Sequence, residues 1–96
     1  MRPVAVTGLG IVSPLGIGRS AYVDAMRAGD AATERAFTAA GAAVETFDAT
    51  PYPGARVAEV RGFDVAKYIG AKGHRNMDRL TKLLVVATRL AFEDAG

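Results

Sequence analysis

Val4-Ala5-Val6-Thr7-Gly8-Leu9-Gly10-Ile11-Val12-Ser13-Pro14-Leu15-Gly16, near the start of the chain, is the stretch whose reading decides the fold. Val4 to Val6 form a short continuous apolar run between Pro3 and Gly8. Such a run predicts a strand buried on both faces, as in a parallel sheet. A glycine-rich turn follows, then an apolar loop that must feed a helix. The glycines allow two readings: a phosphate cradle, or positions where the backbone turns and packs closely. A cradle needs G-x-G-x-x-G running straight into a helix whose N-terminus faces the pyrophosphate. Here Ser13 stands where the third glycine belongs, and Pro14 follows it. An acidic residue about 20 positions on should close a second strand, but Asp30 comes after Gly29, which reads as a helix stop. Gly8 and Gly10 are therefore read as turn and packing residues.

Working outward, Ser20 is the expected N-cap of a helix over residues 21–28, with Tyr22, Val23 and Met26 on one face and Gly29 ending it. Residues 30–45 are alanine-rich and offer little besides Phe37 to bury. They read as a peripheral insertion with a helical turn or two over 31–40. Pro51 and Pro53 make 48–54 a turn-rich connector. Residues 55–60 read as a second strand, with Val57 and Val60 apolar, Arg56 and Glu59 polar, and an imperfect alternation between them. Asp64 is the expected cap of a short helix over 65–69 that Gly70 stops.

A small basic loop, Lys72-Gly73-His74-Arg75, leads into the strongest helical pattern, over 77–95. Met77, Leu80, Leu84, Ala87, Ala91 and Ala95 recur on one face, and Arg75, Asp78, Arg79, Lys82, Arg89 and Glu93 lie along the other. The run Leu83-Leu84-Val85-Val86-Ala87 is apolar all round, which predicts a helix sandwiched between layers. Met77 and Leu80 read as core. Asp78 and Arg79 read as an exposed or ion-paired helix face in preference to an acid–base pair. Glu93 and Asp94 stand against the helix dipole, and the stop at Gly96 reads as a place where a longer protein continues. The predicted order is strand, helix, insertion, strand, short helix, long helix: an α/β fold, incomplete.

The bulk numbers fit one domain at most. A chain of 96 residues buries only about 60–65% of its unfolded surface. Half the residues are hydrophobic and the mean hydropathy is +0.15, so apolar surface is expected to be buried against something outside the chain. The net charge of +2, from 12 Lys+Arg and 10 Asp+Glu, does not by itself point to nucleic acid. With no cysteine there is no disulfide, thiolate nucleophile or cysteine metal site. His74 is the only histidine, with no carboxylate cluster beside it in sequence, so neither metal nor cofactor is expected. No apolar span long enough for a membrane and no signal sequence occurs; a soluble cytoplasmic protein is the expectation.

Several separate segments, in order, resemble one family. The opening stretch is similar to the N-terminus of β-ketoacyl-acyl-carrier-protein synthases, the condensing enzymes of fatty-acid and polyketide synthesis. The resemblance resumes at Phe47-Asp48, Val57-Ala58-Glu59-Val60, Phe63-Asp64, Arg75-Asn76-Met77-Asp78-Arg79-Leu80-Thr81 and Ala91-Phe92-Glu93-Asp94-Ala95-Gly96. It implies a thiolase-like fold, two α/β halves giving αβαβα layers, of which residues 1–96 would be the start of the first. It also implies a dimer, and a cysteine nucleophile assisted by two histidines. These carry out decarboxylative Claisen condensation of acyl and malonyl carrier-protein thioesters, through covalent catalysis with an oxyanion hole. None of those catalytic residues is in this chain, so the condensation cannot be performed by these residues alone.

The resemblance also implies that the loop before the long helix docks the acidic acyl carrier protein, with its phosphopantetheine-linked acyl group. The matching positions are Lys72 and Arg75; Asn76 departs from a basic residue frequent in the family. The implied partners are thus the carrier protein, the remainder of a synthase subunit, and a second subunit in a homodimer or heterodimer, with no nucleic acid or membrane. The alanine-rich insertion over 30–45 is longer than the resemblance implies and fits a divergent polyketide-type or chain-length-factor relative. Two rivals stand beside the synthase: an inactive partner subunit resembling a chain-length factor, and a free-standing binding module.

Overall fold

The computed structural model describes residues 2–37, 44–48, 50–54 and 56–96. Its elements are β1 (Val12–Ser13), β2 (Gly16–Ile17), α1 (Arg19–Ala28), α2 (Asp30–Ala36), α3 (Ala66–Ile69) and α4 (Arg79–Ala95). They fall into two units, one made of the residues up to Val12 with Asp64–Gly96, the other of Ser13–Phe63. The fold is a small mixed α/β one, of the predicted class, though its strands are not those the element order predicts.

The first unit is built on α4. The first N–H groups of a helix have no partner within it, and Asp78 supplies one. Its backbone is extended (φ −75°, ψ 173°) and its Oδ1 accepts from the Thr81 amide at 2.7 Å. Asp78 is therefore an N-cap, a role the sequence reading missed, and the helix begins at Arg79 instead of Met77. The Thr81 side chain, and then its amide, hold the Asp78 carboxyl below its usual range. A carboxylate with a depressed folded pKa contributes stability above its unfolded pKa, about 3.9, and loses it as pH falls through the folded value. Helix content followed by circular dichroism should therefore fall below about pH 4, and Asp78→Ala should flatten that part of the curve and lower Tm at neutral pH.

The N-terminal segment runs beside α4 as extended chain. Gly8 and Gly10 are its points of closest approach. A β-carbon added to Gly10 would lie 1.7 Å from the Ala87 carbonyl oxygen, and one added to Gly8 would lie 2.4 Å from that of Ala91. The Leu9 amide donates to Asp94 Oδ2 at 3.0 Å. Asp94, read as misplaced against the helix dipole, thus holds the N-terminal segment, and Glu93 is paired with Arg89 at 2.9 Å. Of the turn and packing roles expected of these glycines, the structure shows the packing one; no turn occurs at residues 8–10.

The strand expectations are corrected. Val4 and Val6 are 89% and 77% exposed, and no ladder forms there among the described residues. A strand buried on both faces needs ladder partners, and none pairs with this segment among the described residues. Of the second predicted strand, Ala55 lies outside the described residues, and among the described residues 56–60 makes one isolated antiparallel bridge, Ala58 to Phe37. The face expected to be core on α4 is also revised: Leu80 and Leu84 are 75% and 64% exposed, while Val86 is fully buried. Ala87 and Ala91, which meet the glycines, are half-buried. The apolar middle of the helix is covered on one side and open on the other.

In the second unit, the turn at Pro14–Leu15 joins β1 to β2 in a hairpin. Ser13 Oγ donates to the Gly16 carbonyl (3.1 Å) and accepts from the Leu15 amide (3.2 Å). The Gly8–Gly10 stretch thus leads to a hairpin and not into a helix. α1 starts two residues earlier than expected, with Gly18 at its N-cap and Ser20 inside it. Gly29, at φ 70°, ends α1 and starts α2, where Ala32 is buried. α2 accounts for 30–36 of the alanine-rich segment; residues 38–43 lie outside the described residues. No helix is long and apolar enough to cross a membrane among the described residues.

Candidate functional site

The loop between α3 and α4 is shaped by glycine at both of its bends. Gly70 (φ 90°) ends α3, its amide donating to the Ala66 carbonyl at 2.9 Å. Gly73 (φ 91°) turns the chain again, and the Met77 amide donates to the His74 carbonyl at 3.1 Å. The Asp78 cap then starts α4. Lys72, Arg75 and Asn76 are exposed and His74 is half-buried. Among the described residues neither Lys72 nor Arg75 forms an ion pair.

The charge around this loop is lopsided. Lys67, Lys72, Arg75, Arg79 and Lys82 face only Asp64 and Asp78 between residues 64 and 82. Both carboxylates accept backbone amides, Asp64 from Ala66 at 3.1 Å and Asp78 from Thr81. The local surplus of three cations exceeds the +2 of the whole chain, so the rest of the chain carries a small negative balance. An exposed cluster of one sign raises the encounter rate with a partner of the opposite sign.

Beside it, Ile69, Leu84, Val85, Thr88, Arg89 and Phe92 line a groove of about 500 Å³. Its polar groups are already engaged: Thr88 Oγ1 donates to the Leu84 carbonyl at 2.8 Å and Arg89 Nε to Glu93 at 2.9 Å. No group of three or more metal-ligating side chains occurs among the described residues. Among the described residues, the one strongly perturbed carboxyl belongs to the other unit. Glu59 is buried and held down to about 2, first by the Thr46 hydroxyl, with the Thr46 and Glu45 amides and Arg61 adding to it. The sequence marked Glu59 only as a polar position of an imperfectly alternating strand, and no local pattern signalled its burial.

The model of the family described as "Beta-ketoacyl synthase, N-terminal domain" matches residues 1–96, the whole chain. The chain belongs to the β-ketoacyl synthase family. This segment is 37% identical to a "Putative polyketide beta-ketoacyl synthase 2" of Streptomyces virginiae, covering 100% of the chain and 22% of the relative. It is 36% identical to "3-oxoacyl-[acyl-carrier-protein] synthase 2" of Coxiella burnetii, covering 99% of the chain and 21% of the relative. It is also 36% identical to the "Tetracenomycin polyketide synthase ketoacyl synthase beta subunit" of Streptomyces glaucescens, covering 98% and 21%. The chain therefore spans about a fifth of the length of these synthases. No solved structure matches it.

Proposed function

We propose that residues 1–96 serve as the opening part of a β-ketoacyl synthase subunit, the start of the first α/β half of its αβαβα layers. That subunit condenses acyl and malonyl carrier-protein thioesters with loss of carbon dioxide, in fatty-acid or polyketide synthesis. The observation that carries the reading is the family match over the full chain. Because the chain has no cysteine and one histidine, the nucleophile and the histidine pair come from other residues of the subunit. The open side of α4, with Leu80, Leu84 and Phe92 exposed, is consistent with a helix that packs against further layers.

The segment's own contribution is electrostatic. Lys72 and Arg75, exposed and without a carboxylate partner among the described residues, form an anion-attracting loop ahead of α4. An acidic acyl carrier protein is the partner they suit. Reversing both charges should lower the association rate with such a carrier protein by about tenfold at low salt. The gap should close at about 1 M salt, where the screening length is ~3 Å. Stopped-flow association kinetics of the chain, and carrier capture by a subunit containing it, both measure this. A rate unchanged by the reversal at low salt would remove the docking role and leave the family reading standing.

A second reading has its own support. The similarity to a relative named as a β subunit fits a non-catalytic partner of a ketosynthase heterodimer, resembling a chain-length factor. The nucleophile position of the subunit separates the two: cysteine there supports the synthase, its replacement supports the partner.

A further inference from the structure

The second unit holds a cluster that the docking loop does not use. One short stretch, residues 56–61, meets the alanine-rich segment on both sides. On the near side, Arg56 Nη2 lies 2.6 Å from Glu34 Oε2, its guanidinium lies 4.4 Å above the Phe37 ring, and Phe37 bridges to Ala58. On the far side, the Glu59 carboxylate, its side chain 3% exposed, accepts from two successive amides and a hydroxyl. These are Glu45 N (3.1 and 3.2 Å), Thr46 N (2.9 Å) and Thr46 Oγ1 (2.6 Å). Arg61 backs the arrangement, Nη2 at 3.3 Å from Glu59 and Nη1 at 3.8 Å from the Glu45 carboxylate.

We infer that residues 56–61 are a clamp for the two ends of the alanine-rich segment, closed chiefly by the Glu59 carboxylate. A buried anion is costly unless donors surround it, and three N–H and O–H groups converge on this one with an arginine behind them. Glu45 and Thr46 are themselves exposed, so removing the acceptor would hand their successive amides to water and release that end of the segment. The near-side contacts are exposed and correspondingly weak. The clamp therefore depends on one side chain, thirteen residues from Thr46 and fourteen from Glu45. The charged groups facing that carboxylate are Arg61 and Glu45, and the low carboxyl value keeps the clamp closed at neutral and mildly acidic pH. It opens as pH falls toward that value.

Amide hydrogen exchange on the full chain tests the inference. In Thr46→Val and in Glu59→Gln, exchange at the Glu45 and Thr46 amides should rise by about tenfold, while that of the α4 amides around Val86 stays unchanged. Thr46→Val keeps the β-branched shape and removes only the hydroxyl, so the test survives if Glu59→Gln does not fold. Unchanged exchange at residues 45 and 46 in Thr46→Val would overturn the clamp. An equal rise at 45–46 and in α4 would also overturn it, by showing that the contact supports the whole fold and does not open locally.

Discussion

Gly10→Ala is expected to cost about 3 kcal/mol and to lift the N-terminal segment from α4. The added β-carbon would sit 1.7 Å from the Ala87 carbonyl oxygen and 2.6 Å from the Ala91 amide nitrogen. Neither is a flexible side-chain end. Both belong to the helix ladder, and moving them breaks hydrogen bonds inside α4. The alternative is for the segment to retreat, which gives up the Leu9–Asp94 bond and uncovers the half-buried Ala87 and Ala91. In a domain of this size each kcal/mol shifts Tm by about 4–8 °C, so a drop of roughly 12–24 °C follows. Gly8→Ala should follow in the same direction with a smaller drop, since its nearest backbone atom is 2.4 Å away. Neither glycine has a positive φ, so the effect tests close approach and not turn geometry. A thermal transition for Gly10→Ala within about 0.5 kcal/mol of the parent would mean that the segment does not rest on the helix as described.

These glycines show what was legible in the sequence. Their spacing and the Pro14 that follows excluded a phosphate cradle, because both features act locally on backbone conformation. The helix stops were legible for the same reason: Gly29 and Gly70, read as terminators, sit at φ 70° and 90°. Strands depend on a partner, and the pattern of one segment does not show whether the partner is there. Val4 and Val6 have the composition of a buried strand yet remain exposed, since apolarity states a preference for cover and does not provide it. The basic loop was legible because Gly70 precedes it and Gly73 lies between its charges, and Lys72 and Arg75 are exposed in the structure. Asp94 and Glu59 were misread because their partners are distant. The Leu9 amide is 85 residues from Asp94, and the Thr46 donors reach Glu59 across a chain excursion that no periodicity describes. Asp78 was closer to hand. An aspartate three residues before Thr81, just ahead of the apolar run, is a helix-start signal, but its place in a charged stripe suggested a surface pair.

The two sides of α4 give the second large effect. Leu84 and Val86 are two residues apart within one apolar run, and the sequence treats them alike. The structure separates them: Val86 has no exposed surface, and Leu84 stands mostly in solvent. Val86→Asp would place a carboxylate where neither water nor a described donor reaches it, at a cost of about 4 kcal/mol or more. Small domains hold only about 5 kcal/mol or a little more in total, so the cooperative urea transition should be lost and the far-UV signal of α4 with it. Leu84→Asp replaces an exposed leucine and should cost only the helix-propensity difference, about 0.7 kcal/mol or less, while removing apolar surface from the open side. Paired urea titrations measure both. Equal losses would mean that α4 is covered all round in solution, which is what its apolar middle predicts for a helix between two layers. A large loss for Val86→Asp alone would show α4 covered on one side only, leaving the Leu80, Leu84 and Phe92 side free for the further layers proposed for the synthase subunit.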